Sequence, residues 1–486
     1  MEFLDPNYRK RHDRMLIVGY LLLGFLLAGL TIILVLVTSG YDISRRGEVI
    51  VNSIAFVNST PSNSQIYLDK TLLGNKTDAR LVVESGEYLL ELKQAGYFPW
   101  SKNVWLKPQK VGFYQYPFLF PEKLDFGQIA IYKSRQLSSQ SPDKKWLITY
   151  DPSSAQANLF DISQPDNAPL DLSLEASNQS TPASEETNQP SQYRIVSWAD
   201  DNRTMLVKKT LTDKTTSYSL VDSRGEKPSI PISVGEDRPV KRLSLVNDKT
   251  DNLLILYANG ELIKQNIDTG DEVVIALEVL AYNSFGKDVV VYIAANHASN
   301  KADVIINENF EEYKLTELNY SDTASYSLAL SRFNGKNIYA VGSNLDERFY
   351  VYKNPLEDLK SGRPLILLSS PVVNQLKELK FSQNSRFVAA LTPEDIVVYD
   401  AEQAAPYRFQ VDNLADDYHL SWMDGHRLMA NINHGLNIFE FDGKNMVTYQ
   451  DVDPTNIYFN KDYDTIYITD NQTGKTILES ASLRVN

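Results

Sequence analysis

Residues 15–37 form an uninterrupted apolar run, MLIVGYLLLGFLLAGLTIILVLV, that contains no charged side chain. A helix needs about 20 apolar residues to cross a bilayer, and it satisfies its own backbone hydrogen bonds there. The run therefore predicts one transmembrane helix over 15–38, preceded by a stub over 1–14. Basic residues cluster before the run, which favours a cytoplasmic stub and an outer C-terminal part; they are Arg9, Lys10, Arg11 and Arg14.

A cleaved signal peptide is the competing interpretation of this segment. Its apolar core is normally about 7–15 residues long and is followed by a small-x-small cleavage site. The run here is longer, and residues 35–39 make a poor site, so we expect a retained anchor that contacts the lipid bilayer through residues 15–38. Gly24 and Ala28 form a small-xxx-small pair, a candidate helix–helix contact between two such anchors.

The composition of the chain narrows its class. The chain has 62 acidic and 48 basic residues and a net charge of −14. Nucleic acid is therefore an unsuitable partner, because phosphate binding needs clustered Lys and Arg. The absence of cysteine excludes disulfides, thiolate metal sites and cysteine nucleophiles, and in an extracytoplasmic protein it indicates a bacterial source. The 28 Tyr and 19 Phe, with many Val, Ile and Thr, favour strands and predict an all-β ectodomain.

Residues 47–108 show short alternating runs separated by turn residues, the pattern of a small antiparallel β-sandwich. The predicted strands are 53–57, 65–68, 79–83, 88–92 and 102–106. Gly86 and Gly96 stand where turns are expected, and they can adopt a positive φ.

This segment resembles the PEGA domain, a small β-sandwich of bacterial and archaeal surface proteins. The resemblance rests on an ordered set of motifs: Ser59-Thr60-Pro61, Ile66-Tyr67-Leu68-Asp69, Gly74 with Lys76-Thr77, Ser85-Gly86-Glu87-Tyr88 and Gly96-Tyr97. The chain departs from the family pattern at Lys70, where glycine is usual, and at Asp78, where proline is usual. The resemblance implies a binding or spacer module without a catalytic role.

From residue 122 to 486 the chain repeats a unit of an apolar strand, a polar turn of the Ser-x-Asp-x-Lys/Arg type, and two further strands. The third strand ends in an apolar residue followed by Asp or Asn. The turns fall at residues 141–145, 197–203, 245–248, 284–288, 331–336, 381–386, 421–427 and 459–464, of which the third is the weakest match.

Most of these spacings are typical of β-propeller blades, which are four-stranded antiparallel sheets. We therefore predict a propeller of eight blades, or of seven if the weak third copy is not a blade. The longer first spacing contains a polar, Pro- and Ser-rich segment, 164–192, which we predict to be a disordered insertion. The turns resemble the Ser-Pro-Asp-Gly-Lys motif of TolB-like and WD-repeat-like propellers, most closely at Ser141-Pro142-Asp143-Lys144-Lys145.

The sequence offers no catalytic constellation. A propeller-capped serine hydrolase would need Gly-x-Ser-x-Gly on a strand-to-helix turn, and that motif does not occur. Of the five histidines, His419, His426 and His434 lie near one predicted blade, but their spacing favours surface or packing roles over zinc. We predict no cofactor; the acidic turns 451–453 and 460–464 could bind calcium, although Asp is also the ordinary residue of such turns.

Aromatic residues are the best candidates for recognition. Trp100, together with Tyr97 and Phe98, lies on a predicted loop of the small module, where aromatic faces suit glycan or protein contacts. The alternative is that Trp100 covers the end of the sandwich. A second aromatic run, residues 113–120, is expected to pack the small module against the propeller or to supply a blade strand; an exposed partner site is the alternative.

The sequence thus predicts a non-enzymatic, single-pass protein of the bacterial cytoplasmic membrane, with its N-terminus inside and its domains outside. Its PEGA-like and propeller modules would recognise an envelope protein or a cell-wall glycan. Two alternatives stay open: a structural subunit of a membrane machine, in which the helix is the interface, and a glycosidase or lyase with carboxylates in the propeller channel.

Overall fold

The computed structural model describes residues 6–38, 41–43, 49–165, 167–175, 191–235, 238–286, 288–411, 413–414, 418–432, 435–450, 452, 456–472 and 474–485. The chain divides into two compact units at residues 122 and 123. The first unit begins with helix α1 (Pro6–Thr38). Its 25-residue stretch His12–Leu36 is long and apolar enough to cross a membrane, which fits a single-pass anchor.

After the helix, the first unit forms a sandwich of two sheets. The first sheet contains β1 (Tyr41–Ile43), β2 (Val49–Val57), β5 (Ala79–Glu84) and β8 (Val111–Tyr114). In it β2 is antiparallel to β1 and β5 and parallel to β8. The second sheet, in the order β4-β3-β6-β7, is built from β3 (Gln65–Leu68), β4 (Thr71–Lys76), β6 (Gly86–Lys93) and β7 (Trp100–Leu106).

The core of the sandwich lies between the inner faces of these two sheets. Alternate residues of each strand point inward, so that Ala55, Val57 and Leu81 of the first sheet belong to one buried cluster with Ile66 and Leu92 of the second. The five predicted strands are present. The prediction missed β1, β4 and β8; β4 and β8 contain no buried side chain, so the alternation of buried and exposed residues is lost in them.

In the described part of residues 123–484 the second unit contains eight four-stranded antiparallel sheets. Their succession along the chain is that of a β-propeller with eight blades, and the weak third copy is one of them. The strands of blades 1 to 4 are β10 (Leu137–Gln140), β11 (Trp146–Tyr150), β12 (Gln156–Asp161) and β13 (Leu170–Ser173); β14 (Ser191–Trp198), β15 (Thr204–Leu211), β16 (Thr216–Asp222) and β17 (Ile230–Ile232); β18 (Val240–Leu245), β19 (Asn252–Tyr257), β20 (Leu262–Asn266) and β21 (Glu272–Ala276); and β22 (Val279–Ser284), β23 (Val289–Asn296), β24 (Lys301–Glu308) and β25 (Glu311–Asn319).

Blade 5 also carries the short helix α2 (Pro355–Lys360) between its third and fourth strands, and a 3₁₀ turn (Val246–Asp248) follows the first strand of blade 3. The strands of blades 5 to 7 are β26 (Tyr326–Phe333), β27 (Lys336–Ser343), β28 (Tyr350–Lys353) and β29 (Ile366–Ser369); β30 (Glu378–Phe381), β31 (Phe387–Leu391), β32 (Asp395–Asp400) and β33 (Ala405–Gln410); and β34 (Ser421–Trp422), β35 (Arg427–Ile432), β36 (Gly435–Glu440) and β37 (Val447–Tyr449).

Blade 8 joins the two ends of the propeller chain. Its strands are β38 (Asn456–Phe459), β39 (Thr465–Gln472), β40 (Lys475–Ser482) and β9 (Gly127–Tyr132), so the first strand of the unit completes a sheet made by the last three. A ring closed in this way leaves few sheet edges exposed.

The predicted disordered insertion, 164–192, is wrong in part. Residues 170–173 form β13, the fourth strand of blade 1, in which Leu170 pairs with Leu159. Leu170 and Leu172 alternate with polar residues, which is the pattern of a strand. The polar composition of the whole segment obscured this pattern. Residues 176–190 lie outside the described part of the chain.

Candidate functional site

The polar residues of the repeated turns form hydrogen bonds within those turns. We call the turn between the first and second strands of a blade its first turn. In blade 1, Ser141 Oγ donates to Asp143 Oδ1 (2.5 Å) and accepts the Trp146 N–H (3.0 Å). In blade 6, Ser382 Oγ donates to Asn384 Oδ1 (2.7 Å) and accepts the Phe387 N–H (3.1 Å). In blades 1 and 6 this serine is therefore a structural residue.

Hydrogen bonds also join the first turns of neighbouring blades. The Asp143 N–H donates to Asn202 Oδ1 (2.8 Å), the Asp200 N–H to the Asp248 carbonyl (2.7 Å), and Gln383 Nε2 to the Met423 carbonyl (3.0 Å). Two further bonds join a first turn to the first strand of the neighbouring blade: the Asn247 N–H donates to Ser284 Oγ (3.2 Å), and Ser331 Oγ donates to Ser385 Oγ (2.6 Å). This end of the propeller is thus a network of polar contacts from blade to blade.

Lys144 is the charged member of that network. Its Nζ donates to the Met423 carbonyl (3.2 Å) and to the hydroxyl of Tyr463, whose ring centroid lies 3.9 Å away. Burial lowers the pKa of Lys144 to about 8, and the carboxylate of Asp424 opposes that shift. The Tyr463 hydroxyl donates in turn to Gln383 Oε1 (2.6 Å). Because these contacts tie blade 1 to blades 6, 7 and 8, the lysine is a structural link.

A cleft of about 420 Å³ lies at the opposite end of the blades, between blades 5 and 6. It is lined by residues 344–347 and 392–395, which connect the second and third strands of the two blades, and by 373–375, which lead from blade 5 into blade 6. Four of the lining residues are Asp or Glu, and none is aromatic.

The four carboxylates of the cleft have different roles. Asp346 accepts hydrogen bonds from the Asn319 side-chain amide (2.9 Å) and from the Ser343 hydroxyl, and Asp395 forms an ion pair with Arg408. Glu347 and Glu394 are exposed, and neither forms an ion pair with a described residue. Two carboxylates therefore remain available to a ligand.

The structure corrects the predicted recognition residues of the small module. Trp100 is the first residue of β7 rather than a loop residue, and only 2% of it is exposed. Its ring packs edge-on to Tyr116, with centroids 6.1 Å apart. Tyr97 is buried and Phe98 half-buried. Trp100 thus belongs to the buried core of the sandwich.

The other predicted sites have the following positions. Gly24 and Ala28 are exposed on α1, and their helix–helix contact stays a prediction. His419 Nδ1 lies 3.3 Å from Glu378, and burial lowers the pKa of His426 to about 4. His434 and residues 451 and 453 lie outside the described residues, among which no group of three His, Asp or Glu side chains could hold a metal.

Sequence reasoning missed the acidic cleft. Its carboxylates follow buried strands at Leu345-Asp346-Glu347 and Pro393-Glu394-Asp395, and this pattern was the available signal. Acidic residues also follow the second strands of blades 1 and 2, at Asp151 and Asp213, so only the structure shows which two loops meet.

Comparison with known protein families matches the PEGA domain to residues 53–116. This chain carries a PEGA domain. The match extends past the predicted boundary at residue 108 and includes β8. With the apolar helix and the eight blades, this match fits a membrane-anchored PEGA and propeller protein.

Among curated proteins none matches the chain. Similar solved structures include Saccharomyces cerevisiae Sqt1 (12% identity, 74% of this chain and 98% of that chain, TM-score 0.45). The Dos1 propeller is also similar (12% identity, 74% and 95%, TM-score 0.44). An oligogalacturonate lyase in complex with manganese shares 12% identity over 73% of this chain and 98% of that chain, with a TM-score of 0.39.

Proposed function

We propose that this protein is a non-enzymatic binding or scaffold protein of the bacterial cell envelope. Its helix anchors it in the cytoplasmic membrane, with the N-terminus inside and the PEGA domain and propeller outside. The orientation is supported by the basic residues before the apolar run. The observation that carries the binding role is the cleft between blades 5 and 6, in which Glu347 and Glu394 are exposed carboxylates.

The chemistry of this cleft favours a protein partner over a cell-wall glycan. A glycan site commonly stacks sugar rings on aromatic faces, and the cleft lining contains no aromatic residue. Exposed carboxylates attract Lys and Arg side chains, and the net charge of −14 steers a basic partner toward the molecule. The ligand we propose is a basic segment of another envelope protein.

Binding of a fluorescently labelled lysine octapeptide to the full chain in detergent tests this assignment. The double variant Glu347→Gln/Glu394→Gln should bind about five- to tenfold more weakly at low salt, because two exposed charge pairs are lost. The matched control, Glu357→Gln/Asp462→Asn, has the same net charge and its substitutions lie outside the cleft, so it should bind like the wild type.

Equal affinities of the two double variants would show that the peptide senses only net charge, which contradicts the cleft assignment. Co-sedimentation with purified sacculi is the second arm of the test. Saturable binding to sacculi that survives in Glu347→Gln/Glu394→Gln would favour a glycan partner elsewhere on the molecule. A hydrolytic activity lost on a single substitution would overturn the non-enzymatic role.

The proposed orientation has a direct test because the chain has no cysteine. In intact cells a membrane-impermeant maleimide should label Asp462→Cys, and it should label Asn7→Cys in the N-terminal stub only after the membrane is permeabilised. The reverse pattern would contradict the orientation.

A further inference from the structure

The outer face of the first sheet of the PEGA domain is apolar. Val82, Val111 and Phe113 are 52%, 44% and 62% exposed, and Ile54 and Phe56 lie half-buried between them. These five residues are referred to below as the outer apolar face. They share one side of the sheet because Ile54 pairs with both Val82 and Val111, whereas Phe56 pairs with Phe113.

The aromatic side chains of this face pack against each other. The rings of Phe56 and Phe113 stack with centroids 5.5 Å apart and an interplanar angle of 8°. The opposite side of the same strands supplies Ala55, Val57 and Leu81 to the sandwich core. The outer apolar face is therefore additional to the core, and contiguous exposed apolar surface of this kind marks an interaction site.

The position of this face in the chain points to the membrane as the occupant. Only ten residues separate the end of α1 at Thr38 from the start of β2 at Val49. Tyr41, three residues beyond the helix, pairs with Val51 of β2. The three residues from Val51 to Ile54 span about 10 Å of strand. The short connection between α1 and β2 thus keeps the outer apolar face close to the bilayer surface.

The charges around the face fit a lipid–water interface. Arg80 pairs with Phe56 across the sheet, is exposed, and forms no ion pair with a described residue. Lys110 is exposed immediately before β8. Glu84 lies on the same side at the other end of β5, opposite Asn52. Aromatic and aliphatic side chains bordered by basic residues are typical of surfaces that lie in the interfacial region of anionic membranes.

A second copy of the chain is a weaker candidate for this face. A stable protein–protein interface involves about 20–30 residues on each side, and the outer apolar face contains five. The second sheet of the same domain exposes Trp105 (60%), but this tryptophan is flanked by charged residues. Its paired residue is Glu87, and Lys107 Nζ lies 4.9 Å from its ring centroid, so it is a suitable control position.

We propose that the outer apolar face of the PEGA domain docks on the lipid–water interface of the membrane that holds α1. Val82, Val111 and Phe113 enter the interfacial layer, and Arg80 and Lys110 contact anionic headgroups. This contact holds the PEGA domain in one orientation on the bilayer, so that the domain does not rotate freely on the connection between α1 and β2.

Spin labels on the cysteine-free full chain, reconstituted in vesicles of phosphatidylcholine with a quarter phosphatidylglycerol, test this proposal. Labels are placed singly at Val82→Cys, Val111→Cys and the control Trp105→Cys, and their collision rates with oxygen and with a water-soluble nickel complex are compared. Oxygen concentrates in the bilayer and the nickel complex in water. We expect a higher oxygen-to-nickel ratio at 82 and 111 than at 105.

Adding Phe113→Ser should shift the ratio of the label at 111 toward the value at 105, whereas adding Trp105→Ser should leave it unchanged. Circular dichroism confirms that each labelled protein is folded, and two independent label sites guard against a local defect. Aqueous ratios at both 82 and 111 would overturn the proposal. Exclusion of both reagents, with spin–spin broadening that grows with protein density, would overturn it in favour of a second copy.

Discussion

The departure of the chain from the PEGA pattern at Lys70 has a conformational consequence. Asp69 and Lys70 form the two-residue connection between β3 and β4, and both have positive φ, 47° and 68°. Hairpins of this kind favour Asp-Gly, because a side chain at the second position is strained in the left-handed region. The glycine that is usual in the family is therefore explained by this turn.

We expect Lys70→Gly to raise the free energy of unfolding of the PEGA domain by about 1 kcal/mol, because it relieves that strain. Lys76→Gly, in β4, is the control; it should lower the stability by about 0.5–1 kcal/mol, since glycine costs backbone entropy in a strand. Urea denaturation of the full chain, followed by a probe in the PEGA domain, measures both. A destabilising Lys70→Gly would show that the turn is not strained.

The lowered pKa of Lys144 predicts a pH dependence of stability. Folding lowers this pKa from 10.5 to about 8 through burial, so the protonated amine is penalised in the folded state below pH 8. The penalty is relieved as the pH rises toward 10.5, and the lysine's contribution to stability should increase over that window. The stability of the wild type relative to Lys144→Met, measured by denaturation at pH 7 and pH 10, should therefore grow with pH. A constant difference would contradict this role.

At the scale of the blade, an Arg–Asp pair joins the end of the first turn to the end of the third strand. In blade 6, Arg386 Nε and Nη2 donate to Asp400 Oδ1 (3.0 Å) and Oδ2 (2.6 Å), and the Asp400 side chain is fully buried. Blade 2 repeats the arrangement with Arg203 and Asp222, where the guanidinium lowers the pKa of the carboxyl.

Replacing the arginine should leave the buried Asp400 carboxylate without its ion-pair partner. We expect Arg386→Met to lower the free energy of unfolding by about 3–5 kcal/mol. Arg408→Met removes a pair with Asp395 in which the arginine is nearly half exposed, so its cost should be about 1 kcal/mol or less. Chemical denaturation of the two variants gives the comparison, and equal losses would contradict the role of burial.

These pairs also show what could be predicted from the sequence. The first turns depend on local residue types, so eight units could be recognised. The strand end is a weaker signal, because the third strands of blades 4, 5, 7 and 8 end at Glu308, Lys353, Glu440 and Ser482. The burial of Trp100 and the cleft around Glu347 depend on which distant segments meet. No local pattern contains that information, and these positions needed the structure.

At the scale of the whole molecule, the propeller depends on one joint between distant parts of the chain. Strand β9 pairs with β40, with Ile131 opposite Ile477, and the same blade packs Leu478 and Tyr467 in a buried cluster with Leu147 of blade 1. These contacts join blade 8 to blade 1, and the closed ring of the propeller depends on them.

A disulfide across this joint should stabilise the closed ring. Opposite residues of antiparallel strands have Cα atoms about 4.5–5.5 Å apart, which a disulfide can span. We expect Ile131→Cys/Ile477→Cys to oxidise readily and to stabilise the fold by at most about 5 kcal/mol, because the bond closes a very long loop in the unfolded chain. Ile131→Cys/Val273→Cys, whose positions lie in different blades, should remain reduced. Gel mobility and thermal unfolding with and without reductant measure both outcomes. A first pair that stays reduced would show that β9 and β40 are not joined in solution.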